Sequence, residues 1–136
     1  MQDIIALAAT NSPGSGAAST GASFRFSAAG GTGAGDTNWQ TVTSNGVTQT
    51  VKNSGIAVSA GTSYRLRIDF VNYVSVSSGT ILFYVNDVLA GTHTCSIDNC
   101  PAAATSMLYQ ARVTPLTGTA KEIDLSKVTV FGQITP

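Results

Sequence analysis

At 136 residues and 13.9 kDa the chain is read as one domain, residues 1–136, long enough to bury a core without metal or disulfide support. Apolar residues at 43% argue against disorder, while charged residues at 10% fall well under the ~25% of ordinary soluble domains, so Ser, Thr, Asn and Gly must supply most of the polar surface. Seven Lys plus Arg balance seven Asp plus Glu, which leaves no basic face for nucleic acid, and no run approaches the ~20 apolar residues of a membrane-inserted helix.

Strands are legible by alternation, and turns by Gly, Asn and Pro. Ile4 to Ala9 reads as the first strand; Asp3, the missing positive n-region and the short apolar run argue against a leader, and no export signal is expected. A loop containing Pro13, Gly14 and Gly16 leads to a strand at Ser23 to Ser27. The glycine-rich Gly30 to Gly35 precedes a strand at Trp39 to Thr43, and Asn45-Gly46, a strong hairpin signal, returns the chain onto Val47 to Lys52. Ile56 to Val58 is a short extended piece.

Tyr64 to Val71 carries the clearest pattern in the chain. Tyr64, Leu66, Ile68 and Phe70 share one parity, and Arg65, Arg67 and Asp69 the other, as a strand half on a core requires. Ile81 to Val85 follows, then Asn86-Asp87, two residues that tolerate positive φ and close a tight hairpin onto Leu89 to Thr94. Pro101 to Leu108, with three consecutive alanines, is the one candidate helical turn. Leu108 to Val113 and Glu122 to Gln133 finish the domain. Ile123 and Leu125 differ in parity from Val128 and Val130, so a bulge is expected near Ser126-Lys127. The expected class is all-β, an antiparallel sandwich.

Several segments, in one order, resemble a known family. They are Asn38-Trp39-Gln40-Thr41-Val42-Thr43, then Gly55 to Ile68 with its Ala60-Gly61-Thr62-Ser63-Tyr64-Arg65-Leu66-Arg67 core, then Phe83-Tyr84-Val85-Asn86-Asp87, then Gly91-Thr92-His93-Thr94. Together with Asp124 to Val130 they resemble the concanavalin-A-like (lectin-like) jelly-roll modules of bacteriophage tail fibres, tailspikes and head-decoration proteins, over roughly Ile4 to Gln133. The resemblance implies a jelly-roll β-sandwich in a non-enzymatic virion structural protein, assembled in the bacterial cytoplasm and displayed on the particle surface. It implies other virion proteins as partners and a homo-oligomer, a trimer by preference. Two departures are visible. Asp87 stands where the family usually has Gly, and family members usually carry further strands before the position of Ile4, so the chain is expected to be the C-terminal part of a longer module or to be completed by other chains.

Catalytic chemistry finds little support. Glu122-Ile123-Asp124 imitates the start of a glycoside-hydrolase strand, but retaining hydrolysis needs a second carboxyl about 5–5.5 Å away, and Lys127 stands in its place. His93, the single histidine, lacks a nucleophile-elbow serine and reads as a strand-surface residue; with Cys95 and Cys100 it makes at most three zinc ligands in an unfamiliar spacing. No catalytic residue, metal site or cofactor is expected. Gly30 to Gly35 lacks the helix and lysine of a phosphate cradle. Cys95 and Cys100, with four residues between them, read equally as a local disulfide worth about 1–3 kcal/mol or as two free thiols. The alternative function is a carbohydrate-binding adhesion module recognising host surface glycans, with Trp39 as the stacking platform beside Asn38 and Tyr73.

Overall fold

The computed structural model describes residues 2–8, 20–27, 36–59, 61–75, 77–102 and 108–114. Eight strands and no helix are found among them: β1 (Gln2–Ala8), β2 (Gly21–Ser27), β3 (Asn38–Ser44), β4 (Gln49–Ala57), β5 (Leu66–Ser75), β6 (Ser78–Val85), β7 (Val88–Thr94) and β8 (Leu108–Thr114). They form two antiparallel sheets, one five-stranded in the order β4-β3-β2-β1-β8 and one three-stranded in the order β5-β6-β7.

Apolar alternation decides which face of each strand turns inward. Ile81, Phe83 and Val85 of β6 are fully buried while Leu82 and Tyr84, between them, are only half-buried. Leu66, Ile68 and Phe70 of β5 pack against the same cluster. The two sheets meet through aromatic rings set edge-to-face: Phe24 of β2 lies 5.2 Å from Phe83 of β6, and Trp39 of β3 lies 5.6 Å from Tyr64 ahead of β5. Such pairs add about 0.5–1.5 kcal/mol each beyond the area they bury. On the outer face, Arg67 of β5 lies opposite Tyr84 of β6 with its guanidinium carbon 4.1 Å from the ring centroid, and its Nε stands 3.3 Å from Asp69 Oδ2.

The turns follow from backbone chemistry. Asn86 and Asp87 both take positive φ, 51° and 64°, as a two-residue turn between twisted strands demands. Asn86 also lengthens the β5–β6 pairing: its amide donates to Arg65 O and its Oδ1 accepts from Arg65 N, each at 2.8 Å. Arg65 and Asp87 form an ion pair across the same corner. At the β3–β4 turn, Asn45 Oδ1 accepts from the amides of Val47 and Thr48 at 2.9 Å, and Gly46 takes a φ of 94°.

Three boundaries depart from expectation, each for a local reason. The pieces read as Val47 to Lys52 and Ile56 to Val58 are one strand, β4, beginning at Gln49. Its pairing with β3 jumps from Asn53 opposite Gln40 to Ala57 opposite Asn38, and Gly55 at φ 73° absorbs the extra residues. Tyr64 precedes β5 rather than opening it; its hydroxyl accepts from Ser59 N at 2.7 Å and donates to Ala57 O at 3.2 Å, tying the connection down. β5 runs on to Ser75 through a second irregularity, where Asn72 adopts a φ of 49°. The loops expected at Pro13 to Gly16 and Gly30 to Gly35, the closing strand expected over Glu122 to Gln133 with its bulge and its Glu122-Ile123-Asp124 motif, and residues 103–107 of the helical turn expected over Pro101 to Leu108 lie outside the described residues.

Gly79 matches the irregularity at Asn72. It sits at φ 108°, and a Cβ there would meet Asn72 O and Tyr73 Cα at 2.8 Å, both unyielding backbone atoms. Gly55, at φ 73°, faces open space. Gly55→Ala is therefore expected to lose roughly 1–2 kcal/mol of stability from left-handed strain alone. Gly79→Ala adds backbone overlap and is expected to lose clearly more, as urea denaturation of the two variants would measure.

Candidate functional site

The described part of the chain brings its one histidine, a lysine–aspartate pair with a buried carboxylate and its disulfide together along one seam between the sheets. The seam exists because β7 lacks a side chain at one point. Gly91 faces Thr41 of β3 so closely that a Cβ there would lie 2.7 Å from Thr41 Oγ1. A bulge in the β6–β7 pairing, where Phe83 lies opposite Gly91 and Tyr84 opposite Leu89, sets Gly91 and His93 on the inward row.

His93 is therefore a core residue with no exposed surface, and this corrects the strand-surface reading. Its ring lies 5.1 Å from that of Phe83, and both nitrogens are held by the opposite sheet: Nε2 stands 3.0 Å from Thr41 Oγ1, and Nδ1 2.8 Å from Thr43 Oγ1. Thr41 donates its own proton to Lys52 O at 3.3 Å, so its oxygen is left to accept from His93 Nε2–H, and Thr43 donates to Nδ1. Both hydroxyls and both ring nitrogens are satisfied by this one arrangement, with a neutral imidazole. Burial lowers the histidine pKa to about 4; the Lys52 charge pushes the same way, and Asp98 and a backbone hydrogen bond at Thr41 oppose it weakly.

Lys52 of β4 crosses to the other sheet. Its Nζ lies 2.7 Å from Asp98 Oδ2 and donates to Thr92 O at 2.9 Å. Asp98 Oδ2 also accepts from Thr94 N at 2.7 Å. Burial pushes the Asp98 carboxyl upward, but the Lys52 and Thr94 hydrogen bonds, with the positive charge of Lys52 and the influence of His93, outweigh it and hold the pKa below the ordinary carboxylate value. Asp98 is thus engaged by Lys52 and Thr94, whereas the two ring nitrogens of His93 are engaged by threonines. The pairing a nucleophile–histidine–carboxylate relay would need is not formed by these two residues.

Cys95 and Cys100 are joined in a disulfide with their Cα atoms 5.3 Å apart, and both are buried. The loop they close presents Asp98 to Lys52 and Asn99 to the β3–β4 hairpin. Asn99 donates to Thr50 Oγ1 from its amide at 2.9 Å and from Nδ2 at 3.1 Å, while its Oδ1 accepts from Thr48 Oγ1 at 2.9 Å and Asn45 Nδ2 at 3.3 Å. Among the described residues no three His, Cys, Asp or Glu side chains converge as metal ligands would.

The glycan-platform residues are not assembled into a site. Trp39 is only 6% exposed, because it shares the inward row of β3 with Thr41 and Thr43; Phe24, Phe26 and Tyr64 meet it edge-on. An indole enclosed in this way has no free face for a sugar ring, which corrects the reading of Trp39 as a platform. Asn38, beside it, donates from Nδ2 to Asn53 Oδ1 at 3.0 Å. Tyr73 belongs to the other sheet, where its ring packs on Phe70 at 5.1 Å, its hydroxyl donates to Pro101 O and burial raises its pKa. Sequence reasoning missed the roles of Thr41, Thr43 and Lys52. The available signal was the shared parity of Gly91, His93 and Cys95, which sets histidine on a row with a small residue and a half-cystine. Compared with family models, with curated proteins and with solved structures, the chain finds no match.

The seam sets a pH dependence. The folded-state pKa of His93, about 4, lies below the ordinary 6.5, so the unfolded chain binds the proton more readily. Stability from this group is complete above pH 6.5 and is lost as pH falls towards 4, by about 3 kcal/mol in all. His93→Gln keeps one donor and one acceptor for the two threonines and does not titrate. Urea midpoints between pH 7 and pH 4 are expected to fall for the native chain and to stay nearly level for this variant, with the Asp98 contribution lost only at lower pH.

Proposed function

We propose that this chain is a non-enzymatic structural component of a phage virion, a concanavalin-A-like jelly-roll module, as capsid decoration or as part of a tail fibre or tailspike. It works by rigid display and by docking to other virion proteins and to further copies of itself, a trimer being the preferred assembly. The observation that carries the reading is the use made of the seam's reactive side chains. His93, Lys52 and Asp98 are tied into bonds that hold one sheet against the other, and the two cysteines close the loop that carries Asp98. A buried, neutral, doubly satisfied imidazole stabilises register and offers no base to a substrate. The ordered resemblance of the Asn38 to Thr43, Gly55 to Ile68 and Phe83 to Asp87 segments to phage jelly-roll modules supplies the class.

The disulfide fits a particle that leaves the cytoplasm for an oxidising exterior. The glycan-binding alternative is less well supported, since Trp39 is enclosed by core rings. Mass spectrometry of purified phage particles is expected to find the chain at a fixed copy number relative to the major capsid protein. Its absence from particles whose genome encodes it would overturn the proposal.

A further inference from the structure

Asn45-Gly46 is the one Asn-Gly pair in the chain, and both residues stand exposed in the β3–β4 turn. An asparagine before glycine carries its own chemistry. Once it has lost its proton, the glycine nitrogen can attack the asparagine Cγ, closing a cyclic imide and expelling the carboxamide nitrogen as ammonia. Water then opens the imide at either carbonyl and leaves aspartate or isoaspartate, with nothing oxidised or reduced. Glycine favours the closure because it has no Cβ to crowd the attack.

In the folded chain the atoms that must react are already engaged. Gly46 N donates to Ser44 Oγ at 3.2 Å, and Ser44 Oγ donates in turn to Thr48 O at 3.2 Å. Ser44 is only 3% exposed, so the proton that must leave first points at an oxygen shut away from solvent. Asn45 Nδ2, the leaving nitrogen, donates to Asn99 Oδ1 at 3.3 Å. Asn99 is itself fixed, because its amide and Nδ2 both donate to Thr50 Oγ1 and Cys100 follows it in the disulfide loop. Asn45 Oδ1 accepts from Val47 N and Thr48 N at 2.9 Å, two donors that would steady an oxyanion once attack begins. The restraint therefore lies at the nucleophile and at the leaving nitrogen, and a local opening of this corner lifts both.

We propose that Asn45-Gly46 is a self-modification site, gated by Ser44 and Asn99, which converts to aspartate and isoaspartate when this corner opens. The product changes the corner that made it. Aspartate at this position adds a negative charge to a chain of zero formal net charge, and it sets an acceptor against Asn99 Oδ1 where a donor stood. Isoaspartate also lengthens the backbone of the turn. Either product loosens the hairpin from the disulfide loop, so the site keeps a permanent record of past openings.

Incubation of the full chain at mildly alkaline pH, followed by peptide mapping with mass spectrometry, reads the conversion as the exchange of NH2 for OH at residue 45. The native chain is expected to convert roughly tenfold or more slowly than the same chain unfolded in guanidinium chloride. Ser44→Ala and Asn99→Ala, each shown by circular dichroism to be folded, are expected to convert about threefold or more faster than the native chain. Hydrogen exchange at the Gly46 amide is expected to quicken alongside in Ser44→Ala, whereas Val88→Ser in β7 is expected to change neither rate. The comparison of native with unfolded chain stands even if a variant fails to fold. Native conversion as fast as in denaturant, no conversion in denaturant, or folded Ser44 and Asn99 variants no faster than native would each overturn the proposal.

Discussion

The fold is organised around an imidazole held between two hydroxyls. His93 enters the core from β7 and meets Thr41 and Thr43 of β3, two residues apart and therefore on one face of one strand. A single tautomer satisfies all three groups, because the Thr41 hydroxyl is committed to Lys52 O. Each neutral bond is worth only about 1 kcal/mol net, but leaving any one unmade in a dry interior costs more than that. The arrangement therefore specifies position more than it adds stability. A one-residue slip of β7 against β3 would bury three orphaned polar groups together. Gly91 belongs to the same device, since a larger residue would hold the strands apart and open the ring to water.

Around this contact the charges are sorted in a way that bears on function. Lys52 spans from β4 to the loop after β7 and is matched by Asp98, so the closest charges to the imidazole form a nearly neutral pair. Arg65, Arg67, Asp69 and Asp87 are all on or beside the outer face of the three-stranded sheet and pair among themselves. Exposed ion pairs of this kind contribute little to stability. Elsewhere among the described residues Arg25 pairs with Asp36 and Lys52 with Asp98. Each of these charges is matched by an opposite one nearby, so they set up no strong field of one sign.

What could be read from the sequence was whatever depends on neighbours in the chain. The period of two through Leu66, Ile68 and Phe70, and through Ile81, Phe83 and Val85, names the inward rows directly. Asn45-Gly46 and Asn86-Asp87 mark turns by backbone preference, and both occur. What escaped depends on residues some fifty positions apart, as between Thr43 and His93 or Thr50 and Asn99. No local pattern says which polar residue of one sheet will face which of the other. β4 was read as two pieces because its bulge at Gly55 breaks the alternation that identifies a strand. Trp39 looked like a surface platform until its parity with Thr41 and Thr43 was fixed by the opposing sheet.

The enclosure of His93 has a dynamic counterpart. Its Nε2–H points at a threonine of the facing sheet, and the ring has no exposed surface, so that hydrogen reaches solvent only when the two layers separate. One slowly exchanging nitrogen-bound proton, visible in a magnetic resonance spectrum, thus becomes a built-in clock for how often this protein breathes apart along its midline.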